Sequence, residues 1–159
     1  MVQKVDIRRL MPADADVLRA MIHRLAIAND AEATITVQQL LDDGFGNRRW
    51  FHALIAESDG EPAAYALWHF AYNANYGTRF LQLQHLYVEA RRRRMGIGRR
   101  LVAAVAREAL DQGCVGLVLG VVAGNDDAIA FYRALGFARD DPQDPRFFLD
   151  HEGMIGITS

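Results

Sequence analysis

The stretch "VEARRRRMGIGRRLV", Val88 to Val102, decides how the chain folds, because two hydrophobic rhythms meet in it. Upstream, Phe80–Glu89 alternates in strand fashion, with Leu81, Leu83 and His85 in one phase and Leu86 and Val88 in the other. Downstream, Ile97 to Gln112 follows a helical pattern with Leu101, Val105 and Leu110 inward, and Gly113 stops it. The junction holds six arginines and two glycines in fifteen residues of a chain whose formal net charge is only -2. A helix start exposes unpaired N–H groups and the positive end of its dipole, and glycines let an anion approach the backbone. Strand, glycine loop and helix together therefore make a local anion cradle.

The elements on either side follow from the same reading. Val5 and Ile7 alternate with polar residues as a strand, and Pro12 and Asp14 open a helix whose apolar stripe includes Val17, Leu18, Met21, Ile22 and Leu25. A short helix is expected from near Thr36 until "DDGFGN" breaks it, then strands at His52–Ser58 and Glu61–Tyr72 joined by "SDGE". After the central helix come an apolar strand, Gly116–Val122, and a helix from Asp126 to about Leu135 closed by Gly136. Terminal strands are expected near Arg146–Leu149 and Met154–Thr158. This is mixed α/β, a central sheet covered by helices. Neither a repeat nor a linker divides residues 1–159, which are read as one domain.

Composition narrows the partners. With 20 acidic against 18 basic residues the surface as a whole is no nucleic-acid grip, so the anion site is local. No apolar run approaches the roughly 20 residues of a membrane span, and no secretory signal order opens the chain. The single Cys114 cannot form an internal disulfide, which makes a reducing cytoplasm the default expectation. A nucleophilic Cys114 is conceivable, but nothing adjacent would lower its pKa, and a packed small hydrophobe is the better reading. His23, His52, His69 and His151 lack metal-ligand spacing with Cys or carboxylate partners, so no metal is expected.

The familiar phosphate motifs fail at a defining residue. A dinucleotide loop would need a third glycine where Leu101 stands, and a P-loop would need G-K-[ST]. What remains is R-x-x-G-x-G, Arg93 to Gly98, followed downstream by "NDDAIAFYRALGF". The two motifs, in this order and spacing, resemble the GNAT superfamily of acyl-CoA-dependent N-acetyltransferases over nearly the whole chain. Their alternative is a solvated arginine face beside a structural glycine turn. "WFHALIAESDGEPAAYALWHFAYNANYG" and "LQHLYVEARRRRMGIGRRL" further resemble the diamine branch, which includes spermidine/spermine and thialysine N-acetyltransferases.

The resemblance implies a GNAT-like α/β fold: a central mixed, mostly antiparallel sheet flanked by helices, with two central strands splayed apart. Backbone N–H groups of Arg94, Met95, Gly96, Ile97, Gly98 and Arg99 would wrap the pyrophosphate of acetyl-CoA. Arg93, Arg94, Arg99 or Arg100 would add charge, with others of the six merely solvated. Leu86, Tyr87 and Val88 would pair with the pantetheine arm, and a backbone N–H near Leu86 or Tyr87 would polarise the thioester carbonyl. Asn125 would touch the cofactor, a role compatible with an N-cap of the following helix.

An alkyl ammonium has a pKa near about 10.4, so the substrate amine must lose a proton before it attacks. Tyr132 matches the family's motif tyrosine and is the expected general acid for the leaving thiolate. Its alternative is a core aromatic whose hydroxyl caps something. Where the diamine branch carries a glutamate, this chain has Gln84, followed by His85 at the next acidic position. Gln84 is no base but can orient a water; His85 can relay a proton or be hydrogen-bonded away from the site. Neighbouring strand residues face opposite sides, so Gln84 and His85 cannot both face the thioester. Replacement carboxylates could come from Glu32, Asp42, Asp43 or Glu89.

Among Trp50, Phe51, Tyr65, Trp68, Phe70, Tyr72 and Tyr76, most are expected in the core, while one or two can line a substrate mouth. The expected activity is acetyl transfer from acetyl-CoA to a primary amine of a small molecule: a diamine, polyamine or lysine-like amino acid. A protein amino terminus or lysine is a further acceptor, and a homodimer is expected by family analogy. The competing readings are an acyl-CoA-binding or sensing module that has lost turnover, and an arginine patch for nucleic acid, which lacks an interleaved aromatic platform.

Overall fold

The computed structural model describes residues 4–138 and 146–159. Six strands form one sheet in the order β1-β2-β3-β4-β5-β6: Val5–Arg9, His52–Ser58, Glu61–Asn73, Thr78–Val88, Gly116–Gly120 and Arg146–Leu149. Among the described residues five α-helices accompany them: α1 Ala15–Ala28, α2 Val37–Phe45, α3 Ile97–Asp111, α4 Asp126–Ala134 and α5 His151–Thr158. The chain forms two compact units. One combines the segment up to Leu67 with His85–Leu101, the other Trp68–Gln84 with the segment from Val102 onward.

In the first unit β1 runs antiparallel to β2, from Val5 opposite Ser58 to Arg9 opposite Leu54. The stripe of α1 buries Leu18, Met21 and Ile22, and α2 adds Leu40; all pack on Ile55 and Tyr65 of the sheet. Helix α2 starts at a reciprocal cap. Gln39 N donates to Thr36 Oγ1 at 3.1 Å while Thr36 N donates to Gln39 Oε1 at 2.9 Å. The β2–β3 turn reverses through Asp59 and Gly60, both left-handed, with φ of 54° and 83°.

In the second unit β4 and β5 run parallel, from Phe80 opposite Gly116 to Leu83 opposite Leu119, and β6 runs antiparallel to β5. The β4–β5 ladder ends at Leu83, although β4 continues to Val88. Leu81, Leu83, Leu117, Leu119, Phe147 and Leu149 form the buried side of these three strands.

Two expected boundaries change. The apolar strand stops at Gly120 instead of Val122, and Val122 is 52% exposed. Met154–Thr158 is the end of a helix, not a strand. Asp150 decides it: its side chain accepts from Gly153 N at 2.8 Å, capping α5 and committing the following residues to helix. Only Met154 and Ile157 of that helix are buried, a spacing of one helical turn.

Candidate active site

The arginine-rich junction lies in the first unit, between the end of β4 and the start of α3. Arg94 and Gly96 both take left-handed backbone, with φ of 61° and 76°. For an arginine this conformation is unfavourable. A Cβ added to Gly96 would meet nothing within 4 Å, so the turn opens on space. Beyond it α3 begins at Ile97, whose side chain is buried, so Ile97 can serve an anion only through its backbone.

The six arginines have separate duties. Arg91 and Arg92 pair with Glu61 at 3.6 and 3.9 Å, and Arg92 also with Asp59 at 3.5 Å. Arg93 Nε donates to the Val88 carbonyl at 3.0 Å and its guanidinium lies over the Tyr87 ring. Arg100 donates to the Val5 carbonyl at 2.9 Å. Arg94 and Arg99 are exposed and have no hydrogen bond or ion pair among the described residues. Among the described residues these two are the uncommitted charges of the cluster, and they flank the open turn at Gly96. We expect Gly96→Ala to preserve the fold and weaken CoA binding about tenfold, measured by calorimetric titration. The protein has room for the methyl, but the left-handed φ and the phosphate approach do not.

Strand β4 separates the two residues offered for proton handling. Gln84 is exposed, in phase with Phe80 and Gln82, whereas His85 is in phase with the buried Leu83 and Tyr87. His85 Nδ1 lies 3.0 Å from the hydroxyl of fully buried Tyr65. Burial holds the Tyr65 phenol far above its ordinary pKa, so it keeps its proton. Burial also pushes the His85 imidazole down, so it stays neutral. This Tyr65–His85 bond was not legible in the sequence, since it needs the pairing of two strands.

Glu89 is engaged as well: Tyr87 Oη donates to it at 3.1 Å and Arg24 at 2.5 Å. Among the other carboxylates considered, Asp42 accepts from Gln38 at 2.8 Å and Glu32 is exposed.

Gln84, Tyr132 and Asn125 belong to the second unit. Asn125 caps α4, its side chain accepting from Ala128 N at 3.1 Å. Tyr132 sits edge-on to Phe131 and Phe137, with ring centroids 5.1 and 5.4 Å away, and is tilted against Phe147. Its hydroxyl caps nothing among the described residues. Burial raises its pKa well above that of free tyrosine, which keeps the proton on the oxygen. Phe147 is on the buried side of the sheet, so Tyr132 stands on the side opposite to Gln84.

The model of the Acetyltransferase (GNAT) family matches residues 19–137. The chain belongs to the GNAT acetyltransferase family. GNAT acetyltransferases take the acetyl group from acetyl-CoA, and this chain is an acetyl-CoA-dependent N-acetyltransferase of that kind. It is 35% identical over 144 residues to a thialysine N-epsilon-acetyltransferase of Sus scrofa, covering 84% of each chain. Its counterpart from Caenorhabditis elegans is 32% identical, covering 83% of this chain and 82% of the relative. Among solved structures, a ribosomal-protein-alanine N-acetyltransferase from Brucella melitensis superposes with a TM-score of 0.74 at 26% identity, over 88% of this chain and 96% of that one.

Cys114 is buried and burial pushes its thiol pKa up, which suits packing instead of nucleophilic work. Among the described residues no three His, Cys, Asp or Glu side chains group as metal ligands. No helix among them is long and apolar enough to cross a membrane.

Proposed function

We propose that this GNAT enzyme acetylates a primary amine of a small molecule, and that Tyr132 is its general acid. The observation that carries the small-molecule reading is the similarity to thialysine N-epsilon-acetyltransferases, 35% identical in the Sus scrofa case. Acetyl-CoA supplies a thioester. The backbone of Arg94–Arg99, with the uncommitted Arg94 and Arg99 side chains, holds its pyrophosphate, while Leu86, Tyr87 and Val88 take the pantetheine and Asn125 flanks it.

The amine, once deprotonated, adds to the thioester carbonyl to form the new N–C bond, and the tetrahedral intermediate then collapses with cleavage of the C–S bond. Its proton leaves to solvent through a water oriented by Gln84. Tyr132 gives its proton to the departing sulfur and regains one from solvent. Opposite faces for Gln84 and Tyr132 keep the exit of the amine's proton apart from the donor that protonates the sulfur. His85, neutral and bonded to Tyr65, steadies the strand beside Gln84. The family match runs through both compact units, which supports a single acetyltransferase domain. We also propose a cytoplasmic homodimer, to be tested by light scattering.

Thiol release from acetyl-CoA against spermidine, short diamines, lysine-like amino acids, amino sugars and peptides tests the reading. Amine-dependent release above the no-amine rate is the expected result. Tight acetyl-CoA binding without release under any amine would instead establish a sensing module, the outcome that Gln84 in place of glutamate motivates.

A further inference from the structure

Within the first unit, the peptide that joins Val88 to Glu89 at the end of β4 is held at both of its polar groups. The Glu89 N–H donates to the Ala63 carbonyl of β3 at 2.9 Å. Across a trans peptide the carbonyl points the other way, and there Arg93 Nε donates to the Val88 oxygen at 3.0 Å. The Glu89 side chain adds two more anchors. Its Oε1 accepts from Arg24 of α1 at 2.5 Å and its Oε2 from the Tyr87 hydroxyl at 3.1 Å, so both carboxylate oxygens are engaged by different elements. Burial, and after it this hydrogen bond, raises the Tyr87 pKa, so the phenol keeps its proton for Glu89. The Arg93 guanidinium, 6.0 Å from the centroid of the Tyr87 ring, closes the clamp.

Strand pairing already satisfies the Glu89 N–H, and an ion pair whose arginine side chain is 47% exposed adds little to folding as a whole. What Arg24 and Glu89 fix is local: the path of Tyr87 and Val88, and the direction in which the chain leaves for the left-handed turn at Arg94 and Gly96. Backbone already held in its bound form spares a ligand the cost of ordering it. We propose that Arg24 and Glu89 are positioning residues for acetyl-CoA, holding the end of β4 and the start of the glycine loop in the form that the cofactor binds. Glu89 is then engaged within the protein and is not the carboxylate that receives the acceptor amine. The inference rests on the placement of pantetheine along Leu86, Tyr87 and Val88 given above.

Calorimetric titration of the full chain with CoA, beside steady-state kinetics with acetyl-CoA and amine varied in turn, tests it. Arg24→Ala and Glu89→Ala should each weaken CoA by about five- to tenfold, with kcat at saturating acetyl-CoA and the KM for the amine within about twofold of wild type. The double variant should lose no more than Glu89→Ala alone, because the shared interaction is removed only once. Arg24→Lys, which keeps the cation, should recover part of the affinity; melting curves verify that each variant folds. Unchanged CoA affinity in both single variants, additive losses in the double variant, or a raised KM for the amine in Glu89→Ala would overturn the proposal. Failure of the pantetheine placement appears elsewhere, as no slowing by CoA of amide hydrogen exchange at Leu86 to Val88 in the wild type.

Discussion

Tyr132→Phe is expected to lower kcat by about 10²–10⁴-fold while leaving the affinity for acetyl-CoA within about twofold. The substitution removes one oxygen and keeps the ring that packs against Phe131, Phe137 and Phe147. Because the hydroxyl bonds to nothing among the described residues, its loss leaves none of their groups unsatisfied, and the melting temperature should barely move. A purely structural tyrosine would give the reverse pattern: a lowered melting temperature and unchanged turnover. Steady-state kinetics beside calorimetric titration of acetyl-CoA separates the two.

The pH profile carries a second readout of the same residue. Burial raises the Tyr132 pKa well above that of free tyrosine, so its proton is retained through the range in which the amine titrates. The rate with an alkyl amine should therefore climb with pH toward the amine's own pKa, near about 10.4, without a falling limb at the ordinary tyrosine value of about 10. Burial lowers the pKa of His85, so it contributes no change of charge as pH rises above neutrality. A descending limb that disappears in Tyr132→Phe would show that Tyr132 titrates where free tyrosine does.

Much of this site is written locally, and so was legible in the chain itself. The change from a two-residue to a helical period at Val88–Val102 places a glycine turn at a helix start, and Asn125 with Tyr132 follow from one contiguous motif. What the sequence could not supply depends on pairing across distance. Six arginines look alike in a row, but Glu61 and Asp59 from the β2–β3 turn engage Arg91 and Arg92, and Val5 engages Arg100. The Tyr65–His85 bond arises only when β3 and β4 lie side by side in the sheet. The last helix reads as a strand in sequence because "MIGITS" is a short apolar run, while the deciding Asp150 cap lies just before it.

The largest stability effect is expected from Arg8→Ala, about 3 kcal/mol, at a residue with no visible sequence signature. Arg8 bonds Asp14 through both terminal nitrogens, at 2.7 and 2.9 Å, and reaches Glu57 Oε1 at 2.7 Å. Asp14 is 7% exposed and also accepts from Met11 N at 2.7 Å, at the entry to α1. Without the guanidinium, a nearly buried carboxylate next to Glu57 loses its main counter-charge, and this cost exceeds that of a surface pair. Arg8→Lys should recover only part, because one ammonium cannot span both Asp14 oxygens and Glu57. The Arg8 hydrogen bonds hold the Asp14 pKa below its ordinary value. A depressed folded pKa contributes stability above the unfolded value of about 3.9, and this is lost as pH falls through the folded value. The gap in melting temperature between wild type and Arg8→Ala should therefore be full at pH 7 and shrink below about pH 4. Denaturant unfolding at both pH values checks this: a gap that persists unchanged in acid would assign the loss to Arg8's packed alkyl stem instead of its charge.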